Sequence, residues 1–228
     1  METVVITGAN RGIGLGLVQE FLAKNTRVIA GCRHPEKATA LSELAQNSAL
    51  EILPLDVADE ASVSNFIASL ADKPIDILIN NAGTLGGDKQ SANNMDYDAW
   101  AEAFAINTIA PFRLTIGLLA NLKKSSRPRV ISVSSQMGSL AGEGTGHYAY
   151  RSSKAALNKV MRGLAAELKP EGILLCPIHP GWVKTDMGGA NAAISVAQSA
   201  AGIYKLIDTL TEAKSGHFLA WDGEELPW

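Results

Sequence analysis

Short β-branched runs alternate with longer amphipathic stretches along nearly all of this 228-residue chain, and that alternation limits the possible folds more than any other feature. The runs fall at 3–7, 27–32, 50–55, 75–80, 129–134, 173–179 and 217–221. The first six are apolar without regular polar alternation, as expected of strands covered on both faces. Between them lie helix-patterned stretches at 12–24, 35–46, 60–70, 97–123, 148–168 and 195–210. This order predicts a doubly wound α/β fold, a parallel sheet of about seven strands with right-handed crossovers and helices on both faces. No repeat, linker or composition shift divides the chain, so a single domain over 1–228 is expected. Within it, 184–195 carries the glycine-rich MGGANAA and is expected to form a small mobile loop beside the substrate.

Composition narrows the function. The net charge is −3, and no basic run exceeds Lys123-Lys124, which argues against a nucleic-acid surface. No apolar stretch reaches the roughly 20 residues that span a bilayer. The N-terminal METVVITGAN enters a strand pattern at once, without the basic and apolar regions of a leader. Cys32 and Cys176 lie in strand-like segments without metal-ligand spacing, so buried free thiols and no metal are expected. A cytoplasmic protein acting on a small molecule, away from membranes, is the resulting expectation.

The first strand runs into Thr7-Gly8-Ala9-Asn10-Arg11-Gly12-Ile13-Gly14, which opens the first helix. Glycines let a pyrophosphate approach the backbone, and the free N–H groups and dipole of the helix start favour the anion. A strand–loop–helix context at the head of an α/β chain is what a dinucleotide site requires. The absence of Gly-Lys-Ser/Thr argues against a nucleotide hydrolase. After the second strand, where an NAD site would place an acid, the chain reads Gly31-Cys32-Arg33-His34. Arg33, with Arg11 from the loop, suits a 2′-phosphate, so NADP(H) is favoured over NAD(H).

Tyr150 and Lys154 stand four residues apart in YAYRSSKAALNKV, so a helix presents both on one face. An ammonium beside a phenol is expected to lower the phenol pKa from its usual value of about 10 toward the working range of an acid–base group. In the stretch 97–123, Pro111 removes the helical hydrogen bond to the Asn107 carbonyl, so a kink is expected there.

These motifs, with Asn80-Asn81-Ala82-Gly83, SVSSQMGS and Pro180-Gly181-Trp182-Val183-Lys184-Thr185, stand in the order found in the short-chain dehydrogenases/reductases, and the resemblance covers nearly the whole chain. YAYRSSKAALN, HPGWVKTDMGG and WDGEELPW resemble the C-factor and sniffer-type carbonyl-reductase branch. The resemblance implies a single-domain Rossmann fold and an NADPH-dependent reduction of an aldehyde, ketone or quinone. It implies that Gly8, Gly12 and Gly14 hold the pyrophosphate, with Asn10, Arg11 and Ile13 in the same loop. Asp56 and Val57 would flank the adenine, and Asn81, Ala82 and Gly83 the adenosine ribose. Pro180, Gly181, Val183 and Thr185 would line the nicotinamide, whose ribose Tyr150 and Lys154 would also reach. Tyr150 would be the acid, assisted by Lys154, by Asn107 through a water on its carbonyl, and by a serine. Ser135 is preferred to Ser134 for that role because Gly138 follows three residues later; its 15-residue gap to Tyr150 is about two longer than in many members. Met137, Trp182 and Met187 are the candidate substrate walls. A homodimer or homotetramer through the stretches 97–123 and 148–168 is also implied. So is an alternative reading: a regulatory or signalling protein that binds NAD(P) with little turnover.

Overall fold

In the computed structural model, which describes residues 1–46 and 48–228, seven strands form one parallel sheet in the order β3-β2-β1-β4-β7-β8-β9. They are β1 (Thr3–Thr7), β2 (Arg27–Cys32), β3 (Leu50–Pro54), β4 (Ile77–Asn80), β7 (Arg129–Val133), β8 (Leu174–His179) and β9 (Leu219–Ala220). Successive strand residues face opposite sides. Val4, Ile6, Ile77 and Ile79 therefore enter one core, while Val5, Leu78, Val130 and Leu175 enter the other.

The first core is closed by α1 (Gly12–Ala23) and α8 (Val196–Asp208), with α2 (Thr39–Leu44) at its margin. The second is closed by α3 (Glu60–Ser69), α5 (Ala110–Gly117) and α7 (Tyr148–Leu168). β3 departs from the expected double burial: it lies at the sheet edge, half-exposed, and ends at the exposed Pro54. An edge strand tolerates a proline because no further neighbour needs its N–H. The helical pattern at 35–46 shrinks to α2, preceded by the 3₁₀ turn Pro35–Lys37. A two-stranded hairpin, β5 (Gln90–Ser91) with β6 (Asn94–Met95), escapes sequence reading because two residues cannot display a period. No helix among the described residues is long and apolar enough to cross a membrane.

The stretch 97–123 is not one kinked helix. α4 (Tyr97–Phe104) widens into a π-turn over Ala105–Ile109, in which the Ala110 N–H reaches back to the Ala105 carbonyl. α5 and the short α6 (Leu119–Leu122) follow. Pro111 cannot supply the N–H that an α-helical Asn107 carbonyl needs, and the wider turn carries the chain past that gap.

Helix α8 begins with a capping box: Ser195 Oγ accepts the Gln198 N–H, and Gln198 Oε1 accepts the Ser195 N–H. That start packs on the glycine-bearing face of α1. A Cβ at Gly16 would strike Val196 Cγ1, while its other neighbours, Ala200 Cβ at 3.4 Å and the Val196 carbonyl at 3.5 Å, are ordinary contacts. Alanine gains about 1 kcal/mol of helix propensity over glycine, against an overpacking cost of about 1–3 kcal/mol. Gly16→Ala is therefore expected to lower the urea midpoint in the parent chain and to raise it in a Val196→Ala background. A double-mutant cycle measures the change of sign; the same sign in both backgrounds would refute the contact.

Candidate active site

β1 lies between β2 and β4, so the direction of strand succession reverses there and a crevice opens at the carboxyl ends of β1 and β4. Thr7 ties the two ends together. Its Oγ1 accepts the N–H groups of Asn81 and Ala82, both at 3.0 Å. The Asn81 Nδ2 donates back to the carbonyls of Thr7 (2.8 Å) and Gly8 (3.1 Å). Motif reading valued Thr7 only as the residue before the glycines; its hydroxyl locks the floor of the crevice.

The glycines of the loop are required by space and by backbone. Gly8 has φ +63°, and a Cβ there would stand 2.8 Å from Ala82 Cα. At Gly14 a Cβ would strike the Gly8 carbonyl and stand 2.6 Å from Asn81 Nδ2. α1 starts behind this loop with no side chain bonding its first-turn N–H groups at the cap. Such a cradle fits a phosphate anion.

Other predicted binding residues follow the carboxyl ends of β2, β3 and β8. Asp56 follows β3, with its Oδ1 accepting the Ala58 N–H at 3.0 Å, and Val57 beside it is buried. Arg33 is exposed after β2, with no ion-pair partner among the described residues. Arg11 does not join it. The Arg11 guanidinium pairs with Asp186 at 2.7 Å, across to the segment after β8.

The candidate acid–base groups converge at the ends of β4 and β7. Tyr150 hydrogen-bonds Ser135, and Lys154 Nζ lies 5.8 Å from the Tyr150 ring centroid. Ser134 points elsewhere, donating to Asn158 Oδ1 at 2.6 Å. The spacing Ser-x-x-Gly has a steric cause: a Cβ at Gly138 would stand 2.7 Å from the Lys154 carbonyl carbon, so only glycine lets this 3₁₀ turn press against α7. Asn107 is fully buried. Its Oδ1 accepts the Thr84 N–H at 2.9 Å, and its Nδ2 donates to the Thr84 carbonyl and Ser153 Oγ, both at 2.9 Å. A Cβ at Gly83 would stand 3.2 Å from Asn107 Oδ1 and 3.6 Å from Lys154 Nζ, so both groups border that glycine.

Electrostatics correct one expectation. Burial raises the Tyr150 pKa, and the Ser135 hydrogen bond offsets only part of that rise. Burial pushes Lys154 from 10.5 down to about 7, and its Nζ donates to the Val133 carbonyl at 2.7 Å. Lys154 therefore does not pull Tyr150 down. Desolvation penalises both charged forms and outweighs the attraction between them.

Met137 is half-buried beside Ser135, while Trp182 and Met187 are exposed on the segment after β8. That segment, 184–195, is folded back on itself by bonds from Lys184 N–H to the Ile194 carbonyl (2.9 Å) and from Ile194 N–H to the Trp182 carbonyl (3.1 Å). Trp182 Nε1 donates to the Gly188 carbonyl at 2.8 Å, and Thr185 Oγ1 accepts the Gly188 N–H at 3.0 Å. Gly181 takes φ +86°, and Ser199 Oγ donates to the Pro180 carbonyl at 2.6 Å. On the opposite side, Trp228 braces the chain after Ser135, its carbonyl accepting Ser139 Oγ (3.1 Å) and the Leu140 N–H (3.0 Å).

Known proteins share this architecture. The chain is 42% identical over 164 residues to the C-signal of Myxococcus xanthus, covering 72% of this chain and 98% of that protein. It superimposes on the NADPH-bound carbonyl reductase from chicken fatty liver with a TM-score of 0.94 and 37% identity, covering 100% of this chain and 99% of the other. The carbonyl reductase Sniffer of D. melanogaster matches with a TM-score of 0.94 and 34% identity, covering 100% of both chains. The sequence profile of the short chain dehydrogenases matches residues 2–195. The chain therefore belongs to the short-chain dehydrogenase family.

Proposed function

We propose that this protein is an NADPH-dependent carbonyl reductase in which Tyr150 donates the proton. The observation that carries this reading is the junction of a hydroxyl pair, Tyr150 and Ser135, with a buried lysine at the mouth of a glycine-lined anion cradle. The cradle suits a dinucleotide: Gly8 and Gly14 let the loop pack onto Ala82 and Asn81 where no larger side chain fits, and α1 starts behind it with no side chain capping its first-turn N–H groups. Gly8, Asn10, Arg11, Gly12, Ile13 and Gly14 would hold the phosphates, Asp56 and Val57 the adenine, and Asn81, Ala82 and Gly83 the ribose. Arg33, exposed after β2, suits a 2′-phosphate, and the similar carbonyl reductase from chicken fatty liver is NADPH-bound. Pro180, Gly181, Val183 and Thr185 would border the nicotinamide.

When bound, NADPH supplies the hydride to the carbonyl carbon. Tyr150 transfers its proton to the substrate oxygen as negative charge develops there, and Ser135 orients that oxygen by hydrogen bonding. The raised Tyr150 pKa suits this direction, because it keeps the phenol protonated until the alkoxide forms. Loss of that proton places a negative charge beside Lys154, whose own affinity for a proton then increases. The Asn107 carbonyl, deprived of its helical N–H partner by Pro111, is the site we assign to the water that resupplies Lys154. Met137, Trp182 and Met187 would line an open apolar mouth suited to a modest aldehyde, ketone or quinone.

A second reading, a signalling protein of the same fold with little turnover, is favoured by the likeness to the C-signal. Turnover decides between them. Oxidation of NADPH should be catalysed with at least one member of a panel of aldehydes, diketones and quinones, and NADPH binding without turnover across that panel would favour the second reading. Tyr150→Phe is expected to lower kcat by about 10²- to 10⁴-fold while NADPH fluorescence titration shows binding retained. Parent-level turnover in Tyr150→Phe would remove the assignment.

The Lys154 shift also makes stability depend on pH. From about 7, its folded pKa, up to its ordinary 10.5, the unfolded chain holds a proton that the folded chain does not. Stability is therefore expected to rise with pH in that window. Tyr150 acts with the opposite sign only above its ordinary 10.0. Comparing urea midpoints from pH 7 to 10, Lys154→Met should flatten this rise, and an unchanged slope would contradict the buried ammonium.

A homo-oligomer belongs to the same proposal. Ile109, Phe112 and Ile116 are 49%, 44% and 40% exposed along one side of the π-turn and α5, an apolar stripe that a second copy of the chain would cover. Sedimentation should give a dimer or tetramer that Phe112→Glu shifts toward monomer. A monomeric parent chain would overturn this part.

A further inference from the structure

Helix α7 begins without a cap of its own. His147, at the N-cap position, has φ +48° and offers no side-chain hydrogen bond. The first-turn N–H groups of a helix have no carbonyl one turn back to bond, and Tyr150 stands in that first turn. Its N–H instead donates to Gln90 Oε1 at 3.0 Å, from a residue 60 positions earlier in the chain. Gln90, in the β5–β6 hairpin, is only 6% exposed. Its Nε2 donates to the carbonyls of Leu85 and Gly87, each at 2.7 Å.

The other side of the Tyr150 peptide is held as well. Its carbonyl accepts Ser153 Oγ at 2.8 Å, and that hydroxyl accepts Asn107 Nδ2. Asn107 in turn grips Thr84 through both its backbone groups. The chain from Thr84 to Gly87 is thus fastened at one end by Asn107 and at the other by Gln90, and each fastener reaches a backbone group of Tyr150. The segment is wedged between helices: Gly86 has φ +81°, and a Cβ there would stand 3.0 Å from both Ala103 Cβ on α4 and Ala149 Cβ on α7.

We propose that Gln90 is a positioning residue for Tyr150, fixing the start of α7, and so the placement of the phenol, relative to the crevice after β4. The proposal rests on the reading of Tyr150 as proton donor. A serine or aspartate at position 147 would satisfy first-turn N–H groups locally. The glutamine instead spends its acceptor on Tyr150 and both amide hydrogens on the loop that follows Gly83. Loosening that tie displaces the reacting hydroxyl without touching the binding surface for the phosphates. Misplacement of a reacting group lowers turnover more than affinity.

The test uses Gln90→Met, which keeps the volume and removes all three bonds, and Gln90→Glu, which keeps the acceptor. Gln90→Met should speed hydrogen exchange at the Tyr150 amide and lower kcat by about 10- to 100-fold. KM and the NADPH dissociation constant should stay within about twofold of the parent. In Gln90→Glu an ionised carboxylate faces the Leu85 and Gly87 carbonyls, whereas the protonated form donates to one of them. Its kcat, relative to the parent, should therefore rise as pH falls, a recovery absent from Gln90→Met. An unchanged Tyr150 amide exchange rate or unchanged kcat in Gln90→Met overturns the proposal; if that variant does not fold, a Gln90→Glu enzyme without the low-pH recovery does so. Should Tyr150→Phe retain full turnover, the catalytic reading fails, while amide exchange still decides whether Gln90 holds Tyr150.

Discussion

A buried lysine amine, with a backbone carbonyl as its hydrogen-bond acceptor, is the constraint around which the centre of this protein is arranged. Burying an unpaired charge costs several kcal/mol, and the shift of Lys154 to about 7 expresses that cost. The fold tolerates it because two continuous apolar cores on opposite faces of the sheet supply the stability. Placing the amine there demands a small neighbour: Gly138 lets the turn after β7 close against the backbone of Lys154 itself.

The crevice beside that amine is tied together by side chains bonded to backbone. Thr7 and Asn81 join the ends of β1 and β4 with four hydrogen bonds, and neither spends its side chain on open solvent. A rigid floor of this kind would fix where the proposed phosphate and carbonyl stand relative to one another. Positioning of that sort accounts for more of a rate enhancement than a single pKa does. The Tyr150 phenol illustrates the point. Its pKa moves away from neutrality, so the donor role proposed for it rests on its place beside Ser135 and not on a lowered pKa.

Much of this was legible in the sequence because it depends on period and spacing. All seven sheet strands announce themselves as apolar runs, and α7 matches its pattern at both ends, 148 and 168. The preference for Ser135 over Ser134 comes from the family pattern that sets a glycine three residues on, and the close approach of the Gly138 turn to α7 gives that spacing a steric reason. What could not be read depends on burial and on contacts across the chain. A Tyr-x-x-x-Lys pair suggests mutual stabilisation of charges; the sign of the Tyr150 shift is set by desolvation, which four letters do not carry. Arg11 could be placed near the phosphates, but its pairing with Asp186 joins residues 175 positions apart. Gln90 sits in a hairpin too short to show a pattern, so nothing local marks it.

Pro111 connects these levels. Read as a helix breaker it predicts a kink, and a kink would free one carbonyl. The π-turn does more, because widening the helix changes which side chains face inward. Asn107 and Thr108, adjacent in sequence, both reach Ser153 on α7: Asn107 through the serine hydroxyl and Thr108 Oγ1 through the Ser153 carbonyl at 2.8 Å. In a regular α-helix neighbouring side chains diverge by about 100°, which sets two consecutive residues against sharing one partner. The same widening turns Ile109 outward onto the exposed stripe. One imino acid thereby shapes the polar contacts behind Tyr150 and the apolar surface in front of α5, so a change at position 111 should be felt on both sides of the helix at once.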